Sequence, residues 1–173
     1  MNELDEVWTQ MMQQAIATAK QSGRNDVAEY LALKASNDAI RSVSCQWLFD
    51  SFFELSEIAN RKGIKLEIEN ESPHRFAVGY STMVGSLIRF RYGLRCLTVE
   101  TGWTRTPADG FMRHNAFAHA KISHFGLSKA NIELILLRNN QDSPAWVLLD
   151  EKGASEKITN NHLAEHFSLF LDL

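Results

Sequence analysis

Cysteine, proline and long apolar runs are all scarce in this chain, and each scarcity removes a class of protein. The two cysteines, Cys45 and Cys96, stand without CxxC spacing or a neighbouring metal-ligand pattern, so neither a disulfide framework nor a zinc ribbon is expected. They read as small apolar thiols of a reduced compartment. Three prolines and nine glycines in 173 residues are too few for a low-complexity or collagen-like chain. Apolar runs stop after a few residues, far short of the roughly 20 that span a bilayer. The opening MNELDEVWTQ is acidic where a secretory signal would be basic. A soluble, cytoplasmic protein with no membrane association is therefore expected. A glycine-rich phosphate loop, a nucleophile elbow and an internal repeat are also missing, and no cofactor is expected.

What is present is ordinary for a globular chain: 45% hydrophobic and 23% charged residues, with a net charge of −3. One domain over residues 1–173 is the expectation from length, and nothing in the overall charge draws it toward nucleic acid.

Periodicity divides the chain into a helical layer over 1–63, an antiparallel sheet over 64–150 and a C-terminal helix over 151–173, an α+β order with helices on one sheet face. Leu4, Val7, Trp8, Met11, Met12, Ala15, Ile16 and Ala19 recur at helical spacing, and Gly23 is placed to stop that helix. Asp26 and Glu29 have the form of a capping box for a short second helix, and Ser36 or Asn37 could cap a third that Gly63 ends. From Ile64 the period changes to two. Strands are expected at 64–68, 76–80, 84–91, 94–101, 116–124, 131–138 and 145–149, about six or seven in all, with turns at 70–73 and at NNQDSP. Thr159 or Asn160 can cap a last helix whose buried stripe is Leu163, Phe167, Phe170 and Leu171.

The charge is unevenly distributed. Residues 73–127 hold seven Lys or Arg against two Asp or Glu, whereas 1–72 hold seven against twelve and 128–173 four against seven. Six of the seven central cations are arginine: Arg75, Arg89, Arg91, Arg95, Arg105 and Arg113. The planar guanidinium fork suits carboxylate and phosphate, which points to recognition of an anionic group, although the same residues could pair with the acidic helical layer. A two-residue hairpin at Tyr92-Gly93 would set Arg91 opposite Leu94 and Arg89 opposite Cys96, placing Arg89, Arg91, Thr98 and Glu100 on one face. Glu100 could then hold an arginine. Phe90 and Tyr80 fit the core face better than a stacking platform, so nucleic acid is not the expected partner.

Between two expected strands lies the long connection Gly102 to Asn115, and connections of this length tend to carry function. Arg105 and Arg113 are candidate anion contacts, together with Arg89 and Arg91, while Trp103 and Phe111 would add apolar contact. The leading expectation is a binding domain, not an enzyme, whose partner is an anionic small molecule or a protein. A second reading is a small enzyme using His114 as acid or base, oriented by Asp109. A third is a homodimer formed through a strand edge or the helical layer.

Metal sites are not expected. His114, His119 and His124 recur every five residues, which points successive members to opposite faces of a strand and about 140° apart on a helix. His162 to His166 matches the H-x-x-E-H form of inverted zinc proteases, yet nothing marks a third ligand. The expected place for these two histidines is the solvent side of the last helix.

Overall fold

The computed structural model describes residues 3–138, 143–150 and 153–172, with side chains from residue 6 onward. It is an α+β fold: an N-terminal helical layer, a seven-stranded antiparallel sheet and a C-terminal helix packed on the sheet. Two compact units are distinguished, Met1–Ser42 and Val43–Leu173, the division falling within the second helix. Among the described residues, no helix is long and apolar enough to cross a membrane.

Helix α1 (Glu3–Gln21) ends at Gly23, whose φ of 73° is easily adopted only by glycine. Met12 and Ala19 are buried, but Val7, Trp8 and Met11 are more than half exposed. The two further helices expected from the cap-like residues are instead one, α2 (Asn25–Arg61), 37 residues long. Ser36 and Asn37 cap a helix only where the backbone leaves helical dihedrals; here the chain stays helical, and Arg41 reaches back one turn to Asp38 at 2.9 Å.

The strands are β1 (Glu67–Val78), β2 (Ser81–Tyr92), β3 (Arg95–Trp103), β4 (His119–His124), β5 (Ile132–Leu137), β6 (Ala145–Asp150) and β7 (Gly153–Lys157), in that order across the sheet. β1 unites two segments expected to be separated by a turn. The register shifts between Glu71 and His74, and this bulge accommodates Pro73, which has no N–H to give to a ladder. The short, largely exposed GASEK strand has no alternating apolar signal and is added at the edge. The turn expected at NNQDSP falls largely at 139–142, outside the described residues.

The β2–β3 hairpin turns at Gly93-Leu94, so Arg91 faces Cys96 and Arg89 faces Thr98. The expected pairing is therefore displaced by two residues, which keeps every side chain on its expected face. Ile88, Phe90, Leu97 and Val99 bury on one face against the C-terminal half of α2 and against α3 (Asn160–Leu171). Phe52 and Phe53 of α2 and Phe167 of α3 all meet the Phe90 ring, at centroid distances of 5.7–6.2 Å. Trp146 on β6 satisfies its indole N–H at the carbonyl of Ser44, 2.9 Å away. Full burial of each large side chain in such a core contributes about 1.5–3 kcal/mol.

Candidate functional site

The opposite face of the sheet has two parts. Toward the Gly93 hairpin, Glu67, Glu69 and Glu71 of β1 lie opposite Arg91, Arg89 and Leu87 of β2. Glu69 accepts from both arginines, Arg89 Nη1 at 2.7 Å and Arg91 Nε at 3.1 Å. The Arg89 hydrogen bond is the main cause that lowers the Glu69 pKa below the usual carboxylate value. Glu100 is engaged by His74 Nε2 at 2.7 Å and, among the described residues, not by an arginine. Lys121 adds a hydrogen bond to the Ala77 carbonyl and an ion pair with Glu133.

Toward the other end, the sheet face is apolar and residues 104–118 fold over it. Phe76, Val78 and Met83 form a small buried cluster against which Met112 packs. Phe76 lies so close above Gly102 that a Cβ there would be 3.1 Å from its ring. The connection thus places one of its large apolar residues on the sheet and leaves another, Phe111, strongly exposed.

A buried carboxylate fixes the start of this loop. Asp109 Oδ2 accepts from the Thr106 N–H at 2.9 Å, the Thr106 hydroxyl at 3.0 Å and the Arg105 N–H at 3.2 Å, while Oδ1 pairs with Arg75 of β1. The Thr106 N–H is the largest influence lowering its pKa, against burial, which raises it. Gly110 follows with a φ of 93° and passes so near Ser81 that a Cβ would lie 2.6 Å from the hydroxyl. That hydroxyl donates to the Phe111 carbonyl at 3.0 Å. The loop then crosses the β1–β2 turn, where the Arg113 guanidinium covers Gly79. His114 and Asn115 adopt left-handed backbone, φ 58° and 55°, and Phe117 and Ala118 pair with Leu136.

Arg105 turns to the other side of the sheet end. Its guanidinium sits 3.6 Å from the centre of the Trp103 ring, and its Nε donates to the Val84 carbonyl at 3.3 Å. Val84 stands between Arg75 and Trp103 in register. Arg75, Trp103, Arg105, Phe111 and Arg113 are therefore all tied to the 75–84 segment of the β1–β2 hairpin. Arg89 and Arg91 are not: Thr98, the partner of Arg89, is five residues along β3 from Trp103, about 17 Å of strand. The structure thus separates the expected ligand residues into a loop group and a Glu69-paired group.

Asp109 and His114 are not joined by a hydrogen bond among the described residues; Asp109 is occupied by Thr106, Arg105 and Arg75. His119 is buried below the loop with no hydrogen-bond partner for Nε2 among the described residues. Burial lowers its pKa to about 4, and nearby Glu133 opposes the shift. His124 points to the opposite face, where its Nε2 meets His166 Nδ1 at 3.0 Å with the rings stacked. His166 is thus turned to the sheet and not to solvent. His162 accepts from the Thr159 N–H at 3.1 Å as part of the helix cap. No group of three metal-binding side chains occurs among the described residues.

Arg75 counts among the central arginines in the sequence but not among the expected ligand contacts, because its partner Asp109 is 34 positions away and only the fold brings them together. The same holds for His124 and His166, 42 positions apart. Compared with known families, characterised proteins and solved structures, the chain matches none.

Proposed function

We propose that this protein is a binding domain that recognises an anionic group at the loop end of its sheet, through Arg75, Arg105 and Arg113, with Trp103 and Phe111 giving apolar contact. The observation that carries this reading is the buried Asp109 carboxylate. It ties Arg75 of β1 to the start of the loop, where the Arg105 side chain stacks on Trp103, while Arg113 lies separately over Gly79, so that the three stand near one hairpin before any ligand arrives. Holding cationic groups in place beforehand lowers the ordering cost of binding. Guanidinium groups suit phosphate or carboxylate, and an exposed Phe111 favours a ligand whose anionic group is attached to an apolar body. Arg89 and Arg91 belong to a separate, internally paired surface and have no part in this reading.

Titration with inorganic phosphate, adenosine monophosphate and a phosphorylated peptide, followed by NMR of the Trp103 indole and arginine side-chain N–H groups, tests it. Shifts centred on Trp103, Arg75 and Arg105 are expected. Arg105→Ala with Arg113→Ala should weaken the best of these ligands at least about tenfold, whereas Arg89→Ala with Arg91→Ala should not. No response at about 1 mM of any ligand, or shifts centred on Glu69, would overturn the reading.

A further inference from the structure

Helix α3 meets the sheet through its phenylalanines and, in its middle turn, through a histidine. His166 turns its Nδ1 to Nε2 of His124, the last residue of β4, at 3.0 Å, with the two ring centres 5.3 Å apart. His124 is buried, at 6% exposure. Two facing ring nitrogens have room for one proton between them, because one must donate and the other accept. Each ring has a second nitrogen pointing elsewhere, so the pair can take up one more proton there and keep its bond. A further proton finds only the inner position, where N–H would face N–H between two cationic rings. Away from the sheet both rings are free to be charged.

We propose that the His124–His166 pair is an acid-sensitive latch: it holds α3 on the sheet while its facing nitrogens share one proton, and it lets the helix loosen when both rings become charged, uncovering Phe167 and Phe170. The neighbouring charges do not supply the missing room. Glu165 and His162 of α3 act on His166 in opposite senses, Glu165 favouring the charged ring and His162 opposing it. Arg95 and Cys96 of β3 line, with Phe170 and Asp172, the pocket that adjoins His124, and Arg95 is paired with Asp172 at 2.6 Å. From the connection at 128–131, which carries Lys129, Asn131 Oδ1 accepts the backbone N–H of His124. Helix α2 meets α3 through Phe52 on Phe167 and Ser51 on Asn160, all uncharged. Burial lowers the pKa of both rings below the ordinary 6.5, so the docked pair resists charging where free imidazoles accept it. Below that value the detached state binds more protons than the docked one, and acid therefore favours detachment.

Hydrogen exchange of the full chain, corrected for the intrinsic pH dependence of the reaction, tests the latch. From about pH 7 to about pH 5, amide protection in α3 should fall on the order of tenfold, more than at Ile88 and Val99 on the sheet face it covers. His166→Gln should reduce that fall to within about threefold, since a glutamine amide can accept from a charged His124 or donate to a neutral one. His162, whose ring accepts from the Thr159 N–H, stays in that variant and serves as the control. An unchanged α3, a fall shared equally with Ile88 and Val99, or a fall that His166→Gln leaves intact would each overturn the proposal. If His166→Gln undocks α3 already at neutral pH, nitrogen NMR of the two rings in the unaltered chain decides. The second proton is expected only as α3 loses protection, and two charged rings beneath a fully protected helix would overturn the latch.

Discussion

Helices α2 and α3 close one face of the sheet with four phenylalanines that join Phe90 of β2 in a chain of ring contacts (Phe53, Phe90, Phe52, Phe167 and Phe170), whereas the loop end of the other face carries the small cluster Phe76, Val78 and Met83 under Met112, with paired charges beyond it. Apolar burial on the helical face is non-directional and scales with area. On the loop face, position depends on directed bonds to one carboxylate. The first arrangement yields stability; the second holds particular side chains at one end of the sheet while adding little apolar area.

The largest expected effect sharpens this contrast. Phe90→Ala should cost about 3–5 kcal/mol in urea unfolding, and Met112→Ala, at a half-buried position, about 1 kcal/mol. Equal costs would break the comparison. Next comes pH. The folded His119 is held neutral to about pH 4, while in the unfolded chain it takes up a proton near its ordinary value of 6.5. Between those values the unfolded state binds more protons, so stability should fall as pH drops, by up to about 3 kcal/mol for this group. His124 and His166, whose pKa values burial also lowers, push in the same direction. Urea midpoints measured from neutral pH to pH 4 should show the decline, and His119→Gln should remove the largest share of it. Asp109 acts at lower pH: its folded pKa is depressed, so its contribution is intact above the ordinary carboxylate range and disappears on further acidification.

Smaller effects separate loop from sheet. Asp109→Asn removes the charge that draws in Arg75 and should speed hydrogen exchange at the Arg105 and Thr106 N–H groups, with Phe90 and Val99 unchanged. A general rise across β3 would mean that loop and helical face open together. Smallest of all, Arg89→Ala should leave the unfolding midpoint within experimental scatter, since its pair with Glu69 is largely solvated.

The layers were legible in the sequence because each rests on a short-range period. Ile88, Phe90, Leu97 and Val99 could be assigned to a buried face from alternation alone, and a hairpin displaced by two residues left that assignment intact. Continuity was harder to read. Asp26–Glu29 and Ser36-Asn37 have the chemistry of helix starts, but whether such residues cap depends on a backbone break that tertiary packing did not make. Pro73 likewise resembles a turn residue, although a bulge lets one strand pass through it. In the loop, length and arginine content mark Arg105 and Arg113 as candidates. The bonds from Asp109 to Thr106 and Arg105 are a local cap, whereas Arg75 as the partner of Asp109 and the Glu69 clasp on Arg89 and Arg91 depend on the placement of distant segments, which no local pattern encodes.

The strand order β1 to β7 is also the order of synthesis. Each strand can pair with the one just made, so apart from the long connection between β3 and β4 sheet assembly requires only short loop closures and can keep pace with a growing chain. The helical face is different, because Phe167 must reach Phe52 and Phe90 from near the end of the chain. A nascent protein with all its strands made would still display a greasy, half-covered surface until α3 arrived. That interval is when the chain is most exposed to aggregation or to capture by a chaperone.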